Sequence, residues 1–209
     1  MIPLYIEDEE RIVPFDQDEY NKRKSKRFWA GVLRTYGAML FYGAIATVIF
    51  HILRFAISVV LDYSFYKEEI AQYVSLAVCL IAYPLLVGFK HMENCGYIDA
   101  YDDCFSFGAG FGRICAATGA MLIIPYMIAL RINFLVVYIY SFCYTHTDGV
   151  SALISENFFH EYEGTTPLGI VIGTTAVFAV YIFALIPFYY LGRRNCRKDK
   201  EMGVKVKIS

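Results

Sequence analysis

Four stretches of this chain stay apolar for the length a helix needs to cross a bilayer, about 20 residues for a hydrocarbon core about 30 Å thick. They cover residues 36–61, 70–89, 114–137 and 168–191. Inside hydrocarbon every backbone amide must be bonded within the protein, so each stretch is expected to be helical. Aromatic residues crowd their ends, at Phe28 and Trp29, Tyr63 and Tyr66, Tyr138 and Tyr144, and Tyr189 and Tyr190, as in an interfacial belt. The pattern predicts an all-α, polytopic helical membrane protein with four transmembrane helices.

The third stretch is the irregular one. Apolar character persists from Ile114 to about Thr147, too long for one untilted crossing. Pro125 is expected to kink it by removing one backbone bond. A break near Arg131 would then lay residues 132–144 along the outer interface.

Composition agrees with the pattern. Of the 209 residues 57% are apolar and 19% charged, less charge than a soluble domain of this size carries. The charges gather at the ends. Glu7, Asp8, Glu9 and Glu10 are followed by Lys22, Arg23, Lys24, Lys26 and Arg27 before the first span, and Arg193, Arg194, Arg197, Lys198 and Lys200 follow the last. Basic residues remain on the cytoplasmic side, so both termini are expected there, in the cell membrane. The connector from Asp148 to Glu163, with four acidic residues and no Lys or Arg, belongs outside, and the middle connector with Lys90 and Arg113 inside. The chain thus divides into a cytoplasmic tail (1–27, acidic then basic), a membrane domain (28–192) and a basic cytoplasmic tail (193–209). The tail lacks the short apolar core of a cleaved signal peptide, so the first span is expected to be retained. A net charge of -1 gives no reason to expect nucleic acid. The expected partners are the bilayer and either further copies of the chain or a larger membrane complex.

Aligning the chain with itself reveals a repeated order of elements. Leu53 to Phe65 aligns without gaps on Leu130 to Phe142, sharing Leu-Arg, Val-Val and Tyr-Ser-Phe. Upstream, Ala30-Gly31 with Arg34 and then Gly37-Ala38-Met39-Leu40 correspond to Ala109-Gly110 with Arg113 and then Gly119-Ala120-Met121-Leu122. Pro84 and Gly88 match Pro187 and Gly192 more loosely. A duplication would make two parallel-repeat helical hairpins, each with a short interfacial entry segment, and would favour a binding site at their interface.

Arg54 and Arg131 occupy matched positions in apolar sequence, where a guanidinium costs a few kcal/mol unless it is paired or reaches the interface. With His51 and Asn133 they form the candidate ligand-binding set near the outer leaflet; the competing reading has both arginines reaching lipid headgroups or Asp62. Ala116 and Ala120, and Gly169 and Gly173, form small-xxx-small faces for helix packing. His146, His160, Glu161 and Glu163 fall in the outer connector without the spacing of a metal site. Cys79, Cys95, Cys104, Cys115, Cys143 and Cys196 form neither a disulfide framework nor a zinc ribbon, so no metal or cofactor is expected. Cys196, inside a basic stretch, is a candidate for acylation. Asp99, Asp102 and Asp103 read as a solvated turn. Gly108, Gly110 and Gly112 lack the Lys-Ser or Lys-Thr of a phosphate loop and read as an entry to the third span.

No His-Glu-x-x-His or Gly-x-Ser-x-Gly signature occurs, so catalysis is not expected. The expected function is that of a non-enzymatic transport-related or assembly component, with a cleft near Arg54 and Arg131. The alternative is a structural or partner-binding bundle with a tight apolar interior, and an intramembrane enzyme comes third.

Overall fold

A computed structural model describes residues 5–8, 11–14, 17–60, 65–102, 106–130, 134–159 and 166–202. Strands β1 (Tyr5–Asp8) and β2 (Arg11–Pro14) pair antiparallel in the N-terminal tail, a hairpin that its charge pattern did not suggest. Helices follow: α1 (Gln17–Val60), α2 (Phe65–Val87), a π-helical turn (Gly88–Met92), α3 (Glu93–Tyr101), α4 (Phe107–Met121), α5 (Ile123–Ala129), α6 (Phe134–Cys143), α7 (Thr145–Phe159) and α8 (Pro167–Glu201).

Four helical stretches are long and apolar enough to cross a membrane: Ser25–Val60, Glu69–Tyr101, Phe107–Ala129 and Pro167–Glu201. The chain is an all-α, polytopic membrane protein. Three of these run well past their apolar segments, because helix does not stop where hydrophobicity stops. The second continues through the π turn into α3, and α8 carries on through its basic residues, so that α3 and α8 pack together beyond the bilayer-length core. Arg27 meets Asp102 at 3.2 Å and Tyr97 meets Asp199 at 3.0 Å, which puts the start of α1, α3 and the end of α8 at one end of the bundle, the end carrying both termini.

The third stretch departs furthest from expectation. Its crossing is α4 plus α5, Phe107–Ala129, rather than residues 114–137. The chain does break at Leu130, but α6 does not lie along the interface. It turns back into the bundle, where Val136, Tyr140 and Tyr144, spaced four apart on one helical face, are buried. An elbow at Tyr144 then reverses the chain into α7, which climbs out against α8. The supposed outer connector beginning at Asp148 is helical as far as Phe159, with Ser151 and Ser155 buried and Leu153, Glu156 and Asn157 exposed. Phe178, beside the elbow, lies eleven residues down α8 from Pro167, about 16 Å at 1.5 Å per residue, close to half the thickness of a bilayer core. The α6–α7 pair is thus a re-entrant hairpin whose elbow reaches the middle of the bundle.

The fold does not support the internal repeat. Its upstream blocks lie in α1 and α4, which pack together, with Gly31 against the Arg113 guanidinium and Phe28 beside Gly112. Beyond them the paths diverge: Leu53 to Val60 continues α1, whereas residues 134–142 form the re-entrant α6. Two equivalent hairpins do not describe this fold.

Glycines set the closest approaches at the terminal end. A Cβ at Gly96 would strike the Tyr189 backbone, one at Gly192 the Glu93 carbonyl and the Tyr97 amide, and one at Gly110 the Tyr189 ring. Nothing lies within 4 Å of a Cβ at Gly37. Gly192→Ala should therefore push α3 and α8 apart and cost about 1–3 kcal/mol, read as a lower melting temperature in detergent, whereas Gly37→Ala should not lower it.

Candidate functional site

The re-entrant elbow has to satisfy its own backbone where no water is at hand. The Tyr144 N–H donates to the Tyr140 carbonyl at 2.9 Å, and the Thr147 N–H to the Tyr144 carbonyl at 2.8 Å. The Cys143 carbonyl rests against Gly43 of α1, at a spot a Cβ would occupy.

Two prolines supply the neighbouring contacts. Proline has no N–H, so it frees the carbonyl four residues before it. Pro84 frees the carbonyl of Leu80, and the Tyr181 hydroxyl of α8 donates to it at 2.9 Å. Pro125 frees that of Met121, and the Tyr144 hydroxyl donates to it at 2.7 Å. A third tyrosine, Tyr83, donates to the Met39 carbonyl of α1 at 3.2 Å.

These three tyrosines and Phe178 enclose His146. Its imidazole stacks on Tyr83 with ring centroids 3.8 Å apart and an interplanar angle of 11°, while Tyr181, Phe178 and Tyr144 lie at 5.8, 6.0 and 6.4 Å. The side chain is 1% exposed. Neither ring nitrogen has a hydrogen-bond partner among the described residues. An imidazole held this way in a membrane interior carries unmet hydrogen-bonding capacity on both nitrogens.

Hydroxyls line the other face of α7. Thr147 Oγ1 donates to the Tyr144 carbonyl at 2.8 Å and lies 3.3 Å from the Tyr140 hydroxyl and 3.4 Å from Thr174 Oγ1. Because its one proton is engaged by the carbonyl, Tyr140 and Thr174 are the donors in those two contacts. Asp148, half-buried, follows on the first turn of α7. Toward the far end Ser151 and Ser155 follow, and Ser155 Oγ accepts from the Thr166 N–H at 3.0 Å. On the α1 side Thr47 donates to Thr145 Oγ1 at 2.9 Å.

Most of this set was not among the residues singled out from sequence. Arg54 and His51 lie on α1 beyond Thr47, half-buried and exposed respectively, so they sit nearer the far end than the elbow. Arg131 and Asn133 fall outside the described residues, as do His160, Glu161 and Glu163. Gly169 and Gly173 pack on Ser155 and Ser151 of α7, and Ala116 joins the core cluster while Ala120 is half-buried. His146 is not in an outer loop. Cys196 is 1% exposed, which removes it as an acylation site. Asp99 is no solvated turn residue: it pairs with the buried Arg113 at 3.0 Å and accepts from the Tyr189 hydroxyl at 2.6 Å. This cluster ties α3, α4 and α8 together at the terminal end. A signal for the elbow was present, since prolines in membrane helices leave carbonyls that need donors, and the tyrosines were read only as an interfacial belt.

Tyr181→Phe should leave the Leu80 carbonyl unpaired and lower stability by about 1–3 kcal/mol. In a Pro84→Ala background, which returns the missing N–H, the same change should cost little; equal losses in both backgrounds would show that the hydroxyl is not replacing that N–H. At the terminal end Asp99→Ala strands a buried guanidinium and should cost about 3–5 kcal/mol, again read by thermal unfolding.

Comparison with known proteins places no family, curated protein or solved structure beside this chain: none matches.

Proposed function

We propose that this protein is a non-enzymatic, transport-related membrane component in the cell membrane, with both termini in the cytoplasm and its working centre at the α6–α7 elbow. The observation that carries the reading is His146, buried at mid-membrane on a re-entrant helix with neither nitrogen hydrogen-bonded among the described residues. Ionisable side chains within membrane segments generally mark pathways and relays. Broken helices at membrane depth are tolerated where they line a cavity or a route for solute. The orientation rests on the basic residues around the terminal end, Lys22, Lys26, Arg27, Arg193, Arg194 and Arg197 among them. The hydroxyls from Thr166 to Thr147 would then line an approach from the outer side.

The complete burial of Tyr83, Tyr144 and His146 supports a second reading, a closed bundle that serves structure or partner binding.

Cysteine accessibility separates the two. In a background freed of native cysteines, Ser151→Cys and Thr147→Cys are expected to react with a membrane-impermeant cationic thiosulfonate added outside, while lipid-facing Val180→Cys does not and Lys198→Cys reacts only from the inside. If positions 151 and 147 stay as inert as 180, the pathway reading falls and the closed bundle stands.

A further inference from the structure

Four hydroxyl oxygens from three helices converge inside the hairpin: Tyr140 from α6, Thr147 and Ser151 from α7, and Thr174 from α8, all of them buried. The Tyr140 hydroxyl faces the other three. Glycine allows the approach, since a Cβ at Gly173 would strike Ser151. Two of the four spend their protons on the backbone of their own helix and elbow: Thr147 donates to the Tyr144 carbonyl at 2.8 Å and Ser151 to the Thr147 carbonyl at 3.1 Å. What these two present to the cluster is lone pairs.

The spacing of these oxygens is longer than a hydroxyl network favours. Hydroxyl pairs bond best at about 2.7–2.8 Å, whereas Tyr140 and Thr147 stand 3.3 Å apart and Thr147 and Thr174 3.4 Å apart. Oxygens held at about 2.4 Å from one ion, at right angles to one another, stand about 3.4 Å apart. The cluster therefore has the edge lengths of a shell around an ion of sodium or calcium size. Magnesium, bound at about 2.0–2.1 Å, would draw the oxygens to about 3 Å, and potassium, being larger, would spread them. Charge selects between the remaining two. Asp148, half-buried on the first turn of α7, lies within electrostatic reach of the Tyr140 hydroxyl, and Glu156, the other acidic residue of α6 and α7, is exposed. One carboxylate offsets one positive charge; a second would stay uncompensated in an interior of low dielectric. An anion finds no partner here, since no Lys or Arg occurs between Arg131 and Arg193. Transition metals favour nitrogen and sulfur donors, and no group of three His, Cys, Asp or Glu side chains suited to one occurs among the described residues.

We propose that the Tyr140, Thr147, Ser151 and Thr174 hydroxyls form a sodium-ion site, with the Asp148 carboxylate as its counter-charge. The inference rests on the transport reading above and names the species that reading leaves open. On binding, Tyr140 and Thr174 rotate their O–H bonds away from Thr147 and turn lone pairs to the ion; no covalent bond changes. The two contacts given up are the long ones, so little is lost in exchange for a charged ligand.

The test uses the purified full-length chain in detergent, with sodium chloride replaced by potassium or choline chloride at equal ionic strength. Sodium at about five times its dissociation constant should raise the melting temperature by about 2–4 °C over choline, with potassium giving less. Tyr140→Phe and Thr174→Val, each removing one oxygen at nearly constant volume, should remove most of that response. Thr175→Val should keep it, because that hydroxyl donates to the Val171 carbonyl outside the cluster. Equal wild-type melting temperatures in sodium and choline overturn the proposal, as does potassium acting as strongly as sodium or a sodium response that survives both substitutions. Should either variant fail to fold, binding of radioactive sodium to the wild type decides: saturable binding displaced by unlabelled sodium and not by potassium supports the site, and its absence overturns it. Sodium binding by a protein whose positions 147 and 151 stay inert to the thiosulfonate would uphold the site and remove the pathway; labelling at 147 and 151 without a sodium response would remove the site and leave the pathway standing.

Discussion

The fold turns on two backbone carbonyls that have lost their helical donors. In water the loss at Leu80 and Met121 would be trivial, because solvent would bond to both. At membrane depth each must be met by another part of the chain, or the helix carrying it is penalised by an unpaired polar group. Tyr181 and Tyr144 meet them. These hydroxyls come from α8 and from the elbow, so satisfying the prolines also dictates where α8 passes α2 and how deep the re-entrant hairpin reaches. The enclosure around His146 follows from the same two bonds, since the rings that carry these hydroxyls are two of its walls.

The two ends of the bundle solve different problems. At the terminal end glycines allow α3, α4 and α8 to touch, and the contact is closed by Arg113, Asp99 and Tyr189. Arg113 is 7% exposed and would be very costly without its carboxylate, so the pair behaves as a rigid joint. At the elbow the helices meet instead through hydroxyls at the edge of bonding distance, 3.3 to 3.4 Å among Tyr140, Thr147 and Thr174. Such contacts exchange partners more readily than an ion pair. Rigidity is thus concentrated where the termini lie, and adaptability at the elbow.

Span count and class were legible because they depend on length and hydrophobicity, which a local reading measures directly. The re-entrant hairpin was not, for two reasons. Residues 134–143 are as apolar as a spanning segment, and what marks them as interior is the buried face of Val136, Tyr140 and Tyr144, visible only once the break after Leu130 is known. Residues 145–159 are polar enough to pass for an external loop, since Thr145, His146, Thr147, Asp148, Ser151 and Ser155 read as hydrophilic whatever faces them. Their serines and threonines are buried against glycines of α8 and hydroxyls of α1 and α8. The same limit applied to Asp99, whose partner lies fourteen residues away in α4, across the turn that joins α3 to it. The matched segments at Leu53 and Leu130 show the converse hazard: similar apolar sequence entered two different paths, because the downstream neighbours differ.

His146 remains the residue that packing alone does not explain. A phenylalanine would fill nearly the same space, keep the stack on Tyr83 and carry no polar atoms, and removing an unsatisfied buried polar group in favour of an apolar one of similar shape is neutral to stabilising. The tyrosines around it differ in this respect, because each hydroxyl has a backbone carbonyl to serve. Structural need therefore accounts for the enclosure and not for the imidazole inside it. What an imidazole has and a phenyl ring lacks, in a place shielded from water, is a donor and an acceptor nitrogen, neither of them engaged by another described residue.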